Sequence, residues 1–168
     1  EYRAVLDEIS ARDPAWGALA GSRAPLRLED VRTRVLREGQ VLLEYLVAGD
    51  RGFVFLAARD GFRVAHLAAS EDSLEALVQR LRASVAAGAL DPDGARELFE
   101  VLLRPVAADI PPGARLLIVP DGPLFHVPFA LLRDEAGTML ERCPIAYAPS
   151  ASTLDPAIRP AGRRRGPS

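Results

Sequence analysis

The chain has no lysine, no asparagine, one cysteine and two histidines among its 168 residues. A single cysteine excludes an internal disulfide, and with two histidines it leaves no plausible ligand set for structural zinc. Arginine supplies all the strongly basic side chains, and the formal net charge is −2. This balance gives no general electrostatic attraction to nucleic acid or to an anionic membrane. We therefore expect no nucleic-acid partner, no membrane partner and no cofactor.

Long apolar runs and nucleotide-binding motifs are also missing. No run approaches the roughly 18 apolar residues that a membrane span needs. Neither G-x-G-x-x-G nor G-x-x-x-x-G-K-[ST] occurs, so a nucleotide site has no support. The composition, 49% apolar and 26% charged, is typical of a globular domain with a hydrophobic core. Since disulfides are excluded, a reducing cytoplasm is the simplest compartment to expect.

Short apolar runs between turn residues predict strands in two parts of the chain. Three runs predict an antiparallel meander: residues 41–47, 53–58 and 62–67. Asp60-Gly61 lies between the last two and is typical of a hairpin turn with positive φ at both residues. Residues 116–119 form an unbroken apolar run, which predicts a strand buried on both faces and thus an α/β domain. Residues 144–148 predict a second short core strand.

Helical periodicity and capping residues occur between these strands. Ser70 is placed to cap a helix over residues 71–87, and Asp91 followed by Pro92 begins another over residues 92–108. Pro105 must kink or split the second helix. Apolar residues at helical spacing predict a further short helix before the meander: Leu28, Val31 and Val35.

The residues after the run at 116–119 resemble a known family. A turn with Asp121, Val-Pro-Phe at 127–129, Leu-Glu at 140–141 and Tyr-Ala-Pro-Ser at 147–150 resemble the first half of the CHAT domain. That family is caspase-like and is usually found behind tetratricopeptide repeats. The hairpin around residues 41–55 and the two long helices are also similar to the family's early elements, so the resemblance covers roughly residues 26–154.

The resemblance implies an α/β fold: a partial caspase-like mixed sheet with flanking helices, preceded by an antiparallel hairpin or meander. It also implies a cysteine peptidase of bacterial cytoplasmic signalling, whose catalytic histidine and cysteine lie further downstream. Its partners would be a protein substrate or regulatory protein and the downstream half of the same domain. Two alternatives stay open, a catalytically inactive scaffold or interaction domain and an unrelated receiver-like α/β module.

Three parts are expected along the chain. Residues 1–22 would end an upstream helical, TPR-like region and form a connector. Residues 23–158 would be the amino-terminal half of a CHAT-like α/β domain. Residues 159–168, with arginine, proline and glycine and no apolar periodicity, would form a disordered tail.

Asp121 and Ser150 are the candidate substrate-cleft residues. Asp121 follows the carboxyl end of a core strand, where open α/β sheets bind ligands, and could meet a basic substrate side chain. A turn residue that bonds its own backbone is the alternative for Asp121, and a helix cap is the alternative for Ser150. His126 and Cys143 could form a base and nucleophile pair. A helix-edge imidazole and a buried thiol are the better interpretation, so we assign no catalytic residue.

Overall fold

The computed structural model describes residues 26–155, so the predictions for residues 1–22 and 159–168 lie outside the described part of the chain. Seven strands occur in the described residues: β1 Gln40–Ala48, β2 Arg51–Ala57, β3 Phe62–Leu67, β4 Arg115–Val119, β5 Arg133–Asp134, β6 Gly137–Thr138 and β7 Ile145–Tyr147. Five of them form a mixed sheet in the order β3-β2-β1-β4-β7, and β5 pairs with β6.

Helices connect and flank these strands. The α-helices of the described residues are α1 Leu28–Asp30, which continues as a π-helix Val31–Val35, α2 Glu71–Ala86, α3 Pro92–Leu102 and α4 Met139–Arg142. Short 3₁₀ segments lie at Arg104–Asp109, Gly122–His126, Phe129–Leu131 and Ala151–Leu154. No helix among residues 26–155 is long and apolar enough to cross a membrane.

The predicted meander is confirmed. β1 pairs antiparallel with β2, and β2 pairs antiparallel with β3. The turn between β1 and β2 uses the left-handed freedom of Gly49, whose φ is 60°. The turn prediction at Asp60-Gly61 is wrong, because neither residue has positive φ. A longer connection makes this turn, closed by a hydrogen bond from Ala58 N–H to the Gly61 carbonyl at 2.9 Å.

The centre of the sheet is parallel, as the buried run at residues 116–119 predicts. β4 lies between β1 and β7 and pairs parallel with both. Leu116 and Ile118 are fully buried on one face, and Leu117 and Val119 are 8% and 4% exposed on the other. The α/β class with a mixed sheet and flanking helices is confirmed, and it is consistent with a partial caspase-like fold.

The two long helices begin at the residues that predict them. The Ser70 hydroxyl accepts a hydrogen bond from Ser73 N–H at 3.3 Å at the start of α2. The Asp91 carboxylate accepts one from Gly94 N–H at 2.9 Å at the start of α3. Pro105 splits the second predicted helix, because α3 ends at Leu102 and a 3₁₀ segment follows it.

The two faces of the sheet are covered by packed elements to different extents. One face, here called the covered face, packs against α2 and α3 through a continuous set of buried side chains that includes Leu43, Leu81, Leu98, Phe99 and Leu116. The other, here called the open face, packs only in part, against the short helical segment and the residues after β7. Its small cluster is Val31, Val35, Leu36, Leu42, Ala57, Leu117, Val119, Ala148 and Ala151.

The segment from β4 to β7 contains structure that the sequence does not predict. Residues 133–138 form the small β5–β6 ladder, which is closed by a turn at residues 135–136. α4 follows with a capping box, in which the Glu141 carboxylate accepts from Thr138 N–H at 2.7 Å. The predicted short strand after it is confirmed as β7. Its place in the core is not, because β7 lies at the edge of the described sheet and its residues Ala146 and Tyr147 are exposed.

Candidate substrate cleft at the carboxyl edge of the sheet

The carboxyl ends of β1, β4 and β7 meet at one edge of the sheet, because the three strands are parallel. Asp121 lies just beyond β4, and Ser150 lies just beyond β7. Ligands of open α/β sheets bind outside this edge. The two candidate residues thus lie on the side of the sheet from which they are expected to act.

Asp121 has a structural partner at this edge. Its carboxylate accepts a hydrogen bond from Val47 N–H at 2.8 Å. The pairing of β4 with β1 ends at Val119 opposite Glu44, so the side chain extends the link between the two strands beyond the ladder. Asp121 therefore binds the backbone of a neighbouring strand rather than of its own turn. Contact with a substrate stays a prediction.

Ser150 caps the 3₁₀ segment Ala151–Leu154, as one of its two interpretations predicts. Its hydroxyl accepts a hydrogen bond from Thr153 N–H at 3.3 Å. An ion pair between Arg34 and Asp155, 2.6 Å long, ties the end of this segment to the π-helix. Asp155 is only 5% exposed, so the pair fixes how the segment lies on the open face.

Ser150 also lines a groove on the open face, with a volume of about 270 Å³. We call it the Glu44 groove, after the acidic side chain in its lining. The walls come from α1 and its π-helical continuation, from the three meander strands and from the residues after β7: Leu26, Leu28, Val31, Leu42, Phe55, Ala57, Phe62, Ala151 and Ser152. Most of this lining is apolar. The groove therefore places one carboxyl group among hydrocarbon and aromatic side chains.

Glu44 was missed as a candidate by the sequence interpretation. It is half-buried, and loss of hydration on burial raises its pKa above the usual value for a glutamate. One signal could have found it: Glu44 is the only charged residue within the apolar run 41–47. Strand alternation puts it on the face opposite to Leu43 and Tyr45.

Asp121 does not line the Glu44 groove. The residues that follow it, Gly122, Pro123 and His126, line a separate depression with Glu71 and Glu75 of α2. The two candidate cleft residues therefore share an edge of the sheet but not a pocket.

His126 and Cys143 do not form a catalytic pair in this arrangement. His126 is exposed beside α2, whereas Cys143 is 6% exposed and lines a different cavity with Phe99 and Met139. Burial raises the pKa of the Cys143 thiol, so the protonated, weakly nucleophilic form is favoured. The better interpretation of both residues is structural. Within residues 26–155, no group of histidine, cysteine and acidic side chains could hold a metal ion.

Comparison with known families confirms the resemblance to the CHAT domain. The family model of the CHAT domain matches residues 92–168, beginning at the first residue of α3. The matched range includes β4, Asp121, β7 and Ser150, and it supports a caspase-like, peptidase-family domain. No curated protein gives a significant match to the chain. The likeness of the meander to early CHAT elements lies before the matched range and stays a prediction.

Proposed function

From the CHAT match over residues 92–168, we propose that this chain supplies the amino-terminal half of a caspase-type cysteine endopeptidase domain. In this proposal it provides the scaffold and one wall of the substrate cleft, and the catalytic histidine and cysteine come from later strands. Upstream repeats, a bacterial cytoplasmic setting and a protein substrate or regulatory partner complete the proposal.

The observation that carries the proposal is the outer edge of β7. Ala148 N–H donates to the Ile118 carbonyl at 2.9 Å, and Leu116 N–H donates to the Pro144 carbonyl at 2.9 Å. In a parallel ladder this pattern turns the backbone groups of Ile145 and Tyr147 away from β4. Among residues 26–155 no strand pairs with that side of β7. Further strands can therefore join the sheet beside β7.

The proposed chemistry follows from where such strands would end. Their carboxyl ends would lie next to those of β4 and β7, at the edge that holds Asp121 and Ser150. A cysteine thiolate there would attack the substrate carbonyl, and a histidine would pass the proton to the leaving amine. The buried thiol of Cys143, which lines a cavity among core side chains, takes no part in this step.

Peptide cleavage by two lengths of protein tests the proposal. We expect residues 1–168 to leave a fluorogenic peptide library uncut, and a longer product of the same reading frame to cleave it. Alkylation of thiols should abolish that cleavage, and Cys143→Ala should leave it intact. Turnover by residues 1–168 that Cys143→Ala removes would contradict the proposal.

A non-catalytic scaffold is the second candidate function. The observation that favours it is the burial of Cys143, the only thiol of the chain. A longer product that folds, binds a protein partner and cleaves no peptide would support the scaffold over the peptidase.

A further inference from the structure

Glu44 lies in the middle of β1 with its side chain on the open face. Its strand neighbours on that face are Phe55 of β2 and Val119 of β4. Among residues 26–155 no hydrogen-bond or ion-pair partner of Glu44 is found, and loss of hydration is the one cause that raises its pKa. The carboxyl group is thus held in an apolar groove without a counter-charge from the described residues.

Partial burial of an unpaired carboxyl group does not favour folding. Removing a charge from water without pairing it destabilises the folded state. A neutral side chain of similar size would fill the same space without that penalty. A charge that weakens the fold in an accessible groove is suited to ligand binding, because low local polarity strengthens its attraction for a cation.

Two of the basic side chains that flank the groove make hydrogen bonds to backbone carbonyls and not to Glu44. Arg32, next to Val31 on the π-helix, donates to the carbonyls of Ala58 and Arg59 at 3.2 and 2.8 Å. The Arg59 guanidinium in turn reaches the Leu36 carbonyl at 3.5 Å. Neither of these two guanidinium groups therefore serves as the counter-charge of Glu44.

The walls of the groove fit a long cationic side chain. Phe55 and Phe62 supply aromatic rings, and Leu42 and Val31 supply aliphatic surface. An arginine can place its methylene stem on aliphatic groups and its planar guanidinium against an aromatic ring. A carboxylate can accept two parallel hydrogen bonds from the same guanidinium. A lysine ammonium would gain the charge interaction but not the planar fit.

We propose that the Glu44 groove binds an arginine side chain of a peptide, with the Glu44 carboxylate as the counter-charge and Phe55 and Phe62 as the walls. The identity of that peptide as a substrate rests on the proposed peptidase function, whereas the binding itself does not. Glu44 is then a specificity residue, distinct from Asp121, whose carboxylate already accepts from the Val47 backbone.

The test is an NMR titration of residues 1–168 with N-acetyl-arginine methylamide, using the citrulline analogue as a neutral probe of the same shape. We expect the arginine amide to shift the signals of Glu44, Phe55 and Phe62. Both the citrulline amide and Glu44→Gln should weaken binding by about tenfold or more, the size expected when a hydrogen-bonded charge pair is lost. Glu75→Gln, on the exposed side of α2, is the matched control and should leave binding unchanged.

A second titration distinguishes an external ligand from the chain's own arginines. The NMR-detected pKa of the Glu44 carboxyl group should lie above the usual glutamate value in the ligand-free chain and fall when the arginine amide is added. A lowered pKa without ligand would show that an arginine of the chain already occupies the groove, and it would overturn the proposal. Equal binding of the arginine and citrulline amides, or shifts confined to Glu71 and Glu75, would also overturn it.

These measurements require no peptide cleavage. Failure to bind arginine would remove the groove proposal and leave the peptidase proposal standing. Arginine binding by a longer product without peptidase activity would remove the peptidase proposal and leave the groove proposal standing.

Discussion

The covered and open faces of one sheet place neighbouring residues in opposite surroundings. On the covered face, Tyr45 is 3% exposed and its hydroxyl donates to the Leu102 carbonyl of α3 at 3.1 Å. On the open face, the adjacent Glu44 lies in a groove without a described partner. Strand alternation turns successive side chains to opposite faces, so one peptide bond separates a fully buried, hydrogen-bonded tyrosine from a half-buried carboxyl group without a partner among the described residues.

The exposed fraction of apolar side chains also differs between the open and covered faces. The open face presents Leu46 and Phe62, each 47% exposed, and Val64, 45% exposed. On the covered face, Leu43, Val54 and Leu56 of the same meander are at most 2% exposed. The comparison teaches that the described residues complete one layer of an α/β sandwich, while the second layer covers only the end near the π-helix. We expect stability to come mainly from the covered face and ligand binding from the open one.

Two phenylalanines give the largest expected contrast between the faces. Phe99→Ala should lower the free energy of unfolding by about 3–5 kcal/mol, because it empties a buried site on the covered face. Phe62→Ala should lower it by about 1 kcal/mol or less, because half of that side chain already contacts water. Urea unfolding of both variants is the measurement. Equal losses would show that the open face is packed as tightly as the covered one.

Tyr45→Phe tests the polar link between the sheet and α3. The substitution keeps the ring and removes only the hydroxyl, so the Leu102 carbonyl loses a buried donor. We expect a loss of about 1 kcal/mol in the free energy of unfolding, measured at pH 7 in urea. A Tyr45→Phe variant as stable as the parent chain would show that the hydrogen bond contributes nothing to the covered face.

Glu44→Gln should act in the opposite direction from Tyr45→Phe. The pKa of Glu44 is raised in the folded state, so the folded state holds this proton more tightly than the unfolded state does. The charged form therefore destabilises the fold once the pH exceeds the unfolded pKa, roughly 4.3, and the full penalty applies above the raised folded pKa. Glu44→Gln removes the penalty and should raise the melting temperature at pH 7.

The pH dependence of that gain is the sharper measurement. The difference in melting temperature between Glu44→Gln and the parent should shrink as the pH falls and should vanish below the unfolded pKa. A matched Glu75→Gln control should show no such trend, since its side chain is exposed on α2. A gain of equal size at pH 3 and pH 7 would exclude desolvation of Glu44 as its cause.

Much of the covered face could be predicted from sequence because local signals and burial agree there. Apolar runs marked the meander and the central strand, and Ser70 and Asp91 marked the helix starts. The position of Glu44 could not be read in the same way. A carboxyl group in an apolar strand can face solvent, a partner or a groove. Which of these it faces depends on the elements that pack on each face of the sheet.

Turn and loop conformations were the other part of the structure that the sequence did not predict. Asp60-Gly61 favours a tight turn locally, yet the chain between β2 and β3 closes through Ala58 and Gly61. Asp121 was predicted either to face the cleft or to bond its own turn, and it bonds Val47, far away in sequence. Long-range hydrogen bonds of this kind depend on strand order, which a single sequence does not specify.

The central proposal is that β7 becomes an inner strand of a larger sheet in a longer protein. Amide hydrogen exchange at two neighbouring residues tests this proposal most directly. Ala148 N–H is bonded to the Ile118 carbonyl, whereas Tyr147 N–H points to the outer side of β7. In monomeric residues 1–168 we predict slow exchange at Ala148 and fast exchange at Tyr147, and in the longer product slow exchange at both. Fast exchange at Tyr147 in the folded longer product would contradict the account.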